Sequence, residues 1–282
     1  MTKKAFLLAY PAGHSLSPYM HNAAFKALGI DGYYEALEIH PDDLAGVIDG
    51  FRAEDVYGSN VTIPHKLAVI PFMDELSQAA KMIGAVNTII NQNGKLLGHN
   101  TDASGYLRAL REDGAFDPSG KEVLLLGAGG AARALLFSLL QVKAKVYIQN
   151  RTLSKAQELA ENFKSLGNCE AIPQEAIPSL MPQLDLIVNS TSVGMIHKGQ
   201  VSHESPLDLD LFKNDLKTDL MISDIVYRPA KTPLLTAAEA KSLRHQNGLA
   251  MLVYQGADSF EMWTGQIAPT QVMFEAIHLV IH

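Results

Sequence analysis

Cysteine is nearly absent from this chain: Cys169 is the single one among 282 residues. One thiol makes no intramolecular disulfide and no cysteine-based metal site, so the sequence reads as that of a reducing, cytoplasmic compartment. No run approaches the ~18 apolar residues of a membrane-spanning helix. The apolar stretch from Ala5 to Tyr10 is too short for a signal-peptide core, and Pro11 ends it. The ten histidines are scattered without HExxH-like spacing, so no metal is expected. An excess of basic residues is missing as well. A net charge of -7 argues against nucleic acid as a main partner, and leaves any anionic ligand to a local basic patch or to backbone amides. Internal repeats and low-complexity segments are also lacking.

What is present is an ordinary globular composition, 47% hydrophobic and 19% charged, at a length suited to one large domain or two modest ones. Short apolar strands alternate with helical segments. Strands are expected over 5–10, 33–39 and 56–63. Helices are expected over 17–29 and 41–52, the first with Ser17 as N-cap, Pro18 at its first position and Gly29 past its end. Two helical stretches should follow, separated near Pro71. Residues 85–100 read as a hairpin turning at Asn93-Gly94. A second unit starts near residue 103. It has a buried strand, glycine turn and helix over 122–140, and further strands over 144–151, 184–191 and 220–227. Residues 167–182 and 194–206 read as loops. From about 232 the chain reads as helical to its end, interrupted at 265–269. The alternation predicts α/β architecture with mainly parallel sheets.

Gly127-Ala128-Gly129-Gly130-Ala131-Ala132 fits G-x-G-x-x-A between an apolar strand and a helix, the context that makes this pattern informative. Gly127 permits the tight turn, Gly129 lets a pyrophosphate approach the backbone, and Ala132 allows close helix packing. The next strand ends in Asn150-Arg151-Thr152, and no carboxylate lies between Lys143 and Lys155. An acid here would select NAD through the ribose hydroxyl. Arg151 and Lys155 instead suit the 2′-phosphate of NADP.

"GSNVTIPHK" (58–66) closes an apolar, β-branched run with Pro64, His65 and Lys66. Pro64 suits the first turn of a helix. Lys66 then projects near the carboxyl end of a strand, the edge where open α/β sheets bind ligands. Taken alone it reads most often as a solvated lysine. Asp102 reads as an N-cap for a helix over 103–112.

These motifs together carry a resemblance. "PAGH" with "SLSP" (11–18), "NVTIPHK" (60–66), "GAVNT" (84–88), "GHNTDASG" (98–105), "GAGGAA" (127–132), "NRT" (150–152), "NSTSVGM" (189–195), "DIVYRPAKTPLL" (224–235) and "YQGADSFEMWTG" (254–265) stand in the order of the shikimate dehydrogenase family, and nearly the whole chain resembles it. Ala9-Tyr10 stands where the family often has glycine. The resemblance implies two domains: a discontinuous N-terminal substrate-binding α/β domain, residues 1–102 with the C-terminal helices of 238–282, and a Rossmann-type dinucleotide-binding domain over 103–237. It implies reversible NADPH-dependent reduction of 3-dehydroshikimate to shikimate, toward chorismate and the aromatic amino acids, by a monomer or homodimer.

Residue by residue, the resemblance implies catalysis by Lys66 with Asp102. It places the substrate carboxylate at Ser15 and Ser17, and the substrate hydroxyls at Thr62, Asn87 and Gln255 with Tyr227 nearby. It implies cofactor contacts at Gly127, Ala128, Gly129, Gly130, Ala131, Asn150, Arg151, Thr152, Lys155 and Thr191, with Gly248 and Met251 behind the nicotinamide. Hydride addition to a ketone builds negative charge on oxygen, and a proton must reach it. An ammonium both stabilises that charge and donates. Burial favours a neutral amine and a neighbouring carboxylate the ammonium, which leaves two roles open for Lys66: charged donor, or half of a Lys66–Asp102 relay. The nearest rival is a quinate/shikimate dehydrogenase using NAD, disfavoured by Asn150-Arg151-Thr152. A non-catalytic sensor is disfavoured by the presence of both Lys66 and Asp102.

Overall fold

The computed structural model describes residues 2–13, 15–196, 202–213 and 215–281; part of the expected loop over 194–206 lies outside them. In chain order the elements are β1 (Lys3–Ala9), α1 (Ser17–Ala27), β2 (Gly32–Glu38), α2 (Leu44–Gly50), β3 (Val56–Val61), β4 (Glu75–Leu76), α3 (Gln78–Ile83), β5 (Thr88–Gln92), β6 (Lys95–His99) and α4 (Asp102–Arg108). The chain continues through β7 (Glu122–Leu126), α5 (Gly130–Gln141), β8 (Lys145–Gln149), α6 (Leu153–Phe163), β9 (Cys169–Ala171), α7 (Ile177–Leu180), β10 (Leu186–Asn189) and β11 (Met221–Asp224). It closes with α8 (Pro233–Ala240), β12 (Arg244–Gln246), α9 (Leu249–Thr264) and α10 (Thr270–Ile281). Two compact units result, one of Met1–Gly105 with Leu252–His282, the other of Tyr106–Met251. Both boundaries fall inside helices, α4 and α9.

The first unit holds a six-stranded sheet in the order β2-β1-β3-β5-β6-β4. β1 pairs in parallel with β2 and β3, whereas β5 runs antiparallel to β3 and β6 antiparallel to β5. Asn93 and Gly94, at φ 53° and 86°, make its turn, both positive as a two-residue hairpin of this type requires. β1 is apolar on both faces because both are covered. Phe6, Leu8, Ile48, Phe51, Val61 and Ile89 pack into one core. On the other face His21 stacks on Tyr34 at 4.3 Å, with Phe25, Phe260 and Trp263 around them. Each such aromatic or aliphatic side chain contributes ~1.5–3 kcal/mol by burial.

The second unit is an all-parallel sheet in the order β12-β11-β10-β7-β8-β9. The chain leaves β7 outward to β8 and β9, then returns to the opposite side of β7 for β10. That reversal makes the carboxyl end of β7 the crevice at which doubly wound sheets bind ligands. α6 buries Ala156, Leu159 and Phe163, spaced along one helical face.

Several local expectations differ from the structure. Ser17 does not cap α1; the cap position is Leu16, without a side-chain bond, and Ser17 is the first helical residue. Pro64 lies second in a run of turns over 63–69 rather than opening a helix. Asp102 likewise lies inside α4, which continues as a π-helical turn over Ala109–Asp113. β9 and α7 occupy the expected loop over 167–182. β12 interrupts the expected helical tail and pairs with β11, so the chain stays in the second unit through Met251 rather than leaving near 237. β9 and β12 are three residues long and carry no apolar run, and β4, two residues within the stretch expected to be helical, was not expected either; only the neighbouring strand makes them strands.

Candidate active site

In the first unit the turn after β3, the residue before β5, the start of α4 and α9 bring four predicted residues together. Lys66 Nζ donates to Asp102 Oδ2 at 2.5 Å, the two side chains being 15% and 6% exposed. Such a pair is worth more than a surface ion pair only if its remaining polar atoms are satisfied. Asn87 Nδ2 supplies the second bond, to Asp102 Oδ1 at 2.9 Å. The same nitrogen faces Gln255 Oε1 at 3.2 Å, and Gln255 Nε2 donates to the Leu252 carbonyl at 2.8 Å.

Backbone bonds fix these side chains. Val86 N–H donates to the Lys66 carbonyl at 2.8 Å, Asn87 N–H to His99 at 3.0 Å, and Val61 N–H to Asn87 at 2.8 Å. Gly105 lets α4 lie against α9: a Cβ there would stand 2.6 Å from Gln255 N. Thr62, just past β3, is half-buried; its backbone N–H donates to Leu8 at 2.9 Å and no bond engages its hydroxyl among the described residues. Ser15 Oγ accepts from Ser17 N–H at 3.2 Å. Ser17 is buried and approaches the Tyr34 phenol, which burial pushes above its usual range and the Ser17 hydroxyl pulls back.

In the second unit the remaining predicted residues gather at one sheet edge. Leu126, which ends β7, is in register with Gln149 of β8 and Asn189 of β10. The turns that follow, at Gly127, at Asn150-Arg151-Thr152 and at Ser190-Thr191, therefore emerge side by side. Gly127 has φ +115°, and a Cβ on it would meet Ser190 Oγ at 2.6 Å and Thr191 Cγ2 at 2.9 Å. Gly129 caps α5, and nothing lies within 4 Å of where its Cβ would be. Ala128, Gly130 and Ala131 are half-buried around it, and α5 presents its unpaired first-turn amides there. Arg151, Thr152 and Lys155 are exposed; Arg151 has no ion pair among the described residues, and Asn150 Nδ2 closes the turn on the Thr152 carbonyl at 2.9 Å. Open backbone, free amides and an unpaired guanidinium fit a phosphorylated dinucleotide.

Thr191 is tied to Asn189 Oδ1 by both its N–H and its hydroxyl, at 2.9 and 2.7 Å. Asn189 Nδ2 donates in turn to Asp224 at 2.9 Å. Burial pushes the Asp224 carboxyl up to about 6, against donors from Val226, Thr232 and Asn189. Tyr227 is partly buried, which raises its phenol, while neighbouring Arg228 lowers it. Gly248 packs on Ile225, where a Cβ would stand 1.9 Å from the carbonyl, and Met251 covers the core beneath α5. Asn60, Thr88, Thr101, Ser259 and Asp224, all buried, were not singled out as site residues by sequence. The available signal was Gln255 and Ser259 at i and i+4 on one helical face.

A reversing parallel sheet with a glycine turn, and a unit bearing a buried lysine–carboxylate pair, define a dinucleotide-linked oxidoreductase. Three family models match the chain: a shikimate dehydrogenase substrate binding domain at residues 7–89, a shikimate/quinate 5-dehydrogenase at 110–207 and a shikimate 5′-dehydrogenase C-terminal domain at 248–278. A shikimate dehydrogenase (NADP(+)) of Desulforamulus reducens is 42% identical over 98% of this chain and 95% of its own length. One of Geobacillus kaustophilus is 45% identical over 94% of each. The crystal structure of the Thermus thermophilus enzyme in complex with NADP(H) and shikimate matches with a TM-score of 0.87, at 38% identity over 98% of this chain and 99% of that one. The chain belongs to the shikimate dehydrogenase family.

Proposed function

We propose that this chain is an NADP-dependent oxidoreductase that reversibly reduces 3-dehydroshikimate to shikimate, on the route to chorismate and the aromatic amino acids. The observation that carries the chemistry is the buried Lys66–Asp102 pair braced by Asn87. NADPH, when bound, supplies the hydride. Lys66 Nζ stabilises the charge that grows on the C3 oxygen and delivers a proton to it, and Asp102 holds the Lys66 side chain in place. In the oxidative direction the same group receives the proton.

Ser15 and Ser17 are suited to hold the substrate carboxylate through their hydroxyls. Thr62, Tyr227 and Gln255 each keep a donor for ring hydroxyls, since Gln255 spends one amide proton on Leu252. Asn87 has three acceptors around two amide protons, and serves mainly Asp102. The first backbone amides of α5 and Gly129 receive the pyrophosphate, Arg151 with Lys155 the 2′-phosphate, and Thr191, Gly248 and Met251 the nicotinamide side. No described helix is long and apolar enough to cross a membrane, and the reading is of a cytoplasmic enzyme acting as monomer or homodimer.

Initial rates with shikimate and quinate, each with NADP and with NAD, test this. Fast turnover confined to shikimate with NADP is expected. Comparable rates with quinate or NAD would reassign the chain to a dual-substrate dehydrogenase. Absence of turnover in all four would overturn the enzymatic reading.

A further inference from the structure

Beneath the Lys66–Asp102 pair runs a continuous buried lattice of neutral polar side chains. Tyr34 Oη donates to Asn60 Oδ1 at 2.9 Å, and Asn60 Nδ2 to Ser259 Oγ at 2.8 Å. Ser259 Oγ meets Thr88 Oγ1 at 2.8 Å, and Thr88 meets Thr101 at 3.1 Å. Thr88 and Thr101 both reach Asn87 Oδ1, at 3.0 and 3.2 Å. Tyr34, Thr88 and Ser259 are wholly buried, and Asn60, Asn87 and Thr101 nearly so.

The proton directions in this lattice follow from its fixed ends. The Thr101 backbone N–H can only donate, and it reaches Asn87 Oδ1 at 2.7 Å. The carbonyl end of the Asn87 amide must therefore face Thr101, which turns its nitrogen to Asp102. At the other end the Ser259 hydroxyl reaches the Gln255 carbonyl, an acceptor only, at 2.9 Å. With its proton committed there, Ser259 accepts from Asn60 Nδ2 at 2.8 Å and from one threonine hydroxyl, Thr88 at 2.8 Å or Thr101 at 3.3 Å. The hydroxyls of Thr88 and Thr101 are left to donate toward Asn87 Oδ1 and the Ser259 oxygen. A flipped Asn87 would set its carbonyl oxygen against the Asp102 carboxylate, and its amino group against a backbone N–H.

We propose that Thr88 and Ser259 are positioning residues for the proton pair: they hold the Asn87 amide in one orientation, nitrogen toward Asp102, and so hold Asp102 and Lys66 in line for the reacting oxygen. This rests on the proposed dehydrogenase reaction and extends it to residues placed to touch neither substrate nor cofactor. A ground-state ketone oxygen is a weak acceptor, and the developing alkoxide a strong one. A loosened pair therefore costs the transition state more than the bound substrate.

The test is steady-state kinetics on the full chain with shikimate and NADP, alongside melting temperatures. Thr88→Val and Ser259→Ala each lower kcat about tenfold, the effect of one unpaired buried hydrogen-bonding group, with KM for shikimate changed by less than about twofold. Thr88→Ser, which keeps the hydroxyl, returns kcat to within about twofold of the parent. Wild-type turnover with kcat unaffected in both Thr88→Val and Ser259→Ala would overturn the positioning role alone. So would a kcat loss in Thr88→Val that Thr88→Ser does not repair, or one matched by an equal rise in KM. An inactive wild-type chain would bring down the reaction, and the positioning role with it.

Discussion

Lys66 Nζ and Asp102 Oδ2 meet at 2.5 Å although 36 residues separate them in the chain. The lysine comes from the turn after β3 and the carboxylate from the first turn of α4, and Asn87 just before β5 donates to the carboxylate's other oxygen. An ionic pair this buried loses hydration, and the Asn87 amide offsets part of that loss. The geometry is thus assembled by the fold before any ligand arrives, and each removal has a definite expected effect.

Lys66→Ala removes both the proton donor and the cation at the reacting oxygen. A fall in kcat of roughly 10²–10⁴-fold is expected, the usual range for a general acid, with shikimate binding by calorimetry largely retained. Near-normal turnover would take Lys66 out of the chemistry.

Arg151→Ala should act on one cofactor only. The guanidinium is exposed and without an ion pair among the described residues, so its removal leaves the fold unchanged. The KM for NADP should rise roughly 10–100-fold, the worth of a charged hydrogen bond, while the KM for NAD stays nearly constant. Equal changes for the two cofactors would detach Arg151 from the 2′-phosphate.

Gly127→Ala combines two penalties. A side chain is strained at φ +115°, and its Cβ would press on Ser190 and Thr191. The strain alone costs about 1–3 kcal/mol. A lowered melting temperature and weakened NADP binding are both expected; a variant with unchanged melting and affinity would contradict the close turn.

His21 makes acid the condition that weakens the first unit. Its ring is buried between aromatics, with neither nitrogen hydrogen-bonded among the described residues, and burial lowers its pKa from 6.5 to about 3, with Asn60 acting the other way. Between those values the unfolded chain binds a proton that the native state refuses. Stability from this group is therefore full above ~6.5 and is lost as pH falls, by about 1.4 kcal/mol per unit, until the folded value is reached. Urea unfolding at about pH 7 and about pH 5 should show the drop, and His21→Phe should reduce it. Identical pH dependence in the two proteins would remove His21 as its source.

The glycine turn was legible because its parts are local: one strand, three glycines and one helix within twenty residues. The hairpin was legible for the same reason, through Asn93-Gly94. Lys66 was legible only through the resemblance, since its partner lies on another element and no periodicity links them. Thr88 and Ser259 were illegible. A threonine in a strand and a serine in a helix read as outward polar residues, and here they meet across 171 residues of chain. β12, three residues reading Arg-His-Gln, shows the same limit for the fold: pairing with β11 makes it a strand, and its own composition does not.

The alternation along β5 sets what the hairpin presents. Thr88 turns toward Ser259, and its neighbour Ile89 toward the apolar core of Phe6 and Leu8. Strand side chains alternate faces, so inserting a single residue into β5 would invert the set. Ile89 would then stand under the proton pair, and Thr88 would face hydrocarbon. Two inserted residues would restore the sides while moving every partner along the strand. The hairpin therefore stores the site's position as a parity, and changes in chain length are expected at the Asn93-Gly94 tip, where parity is not counted.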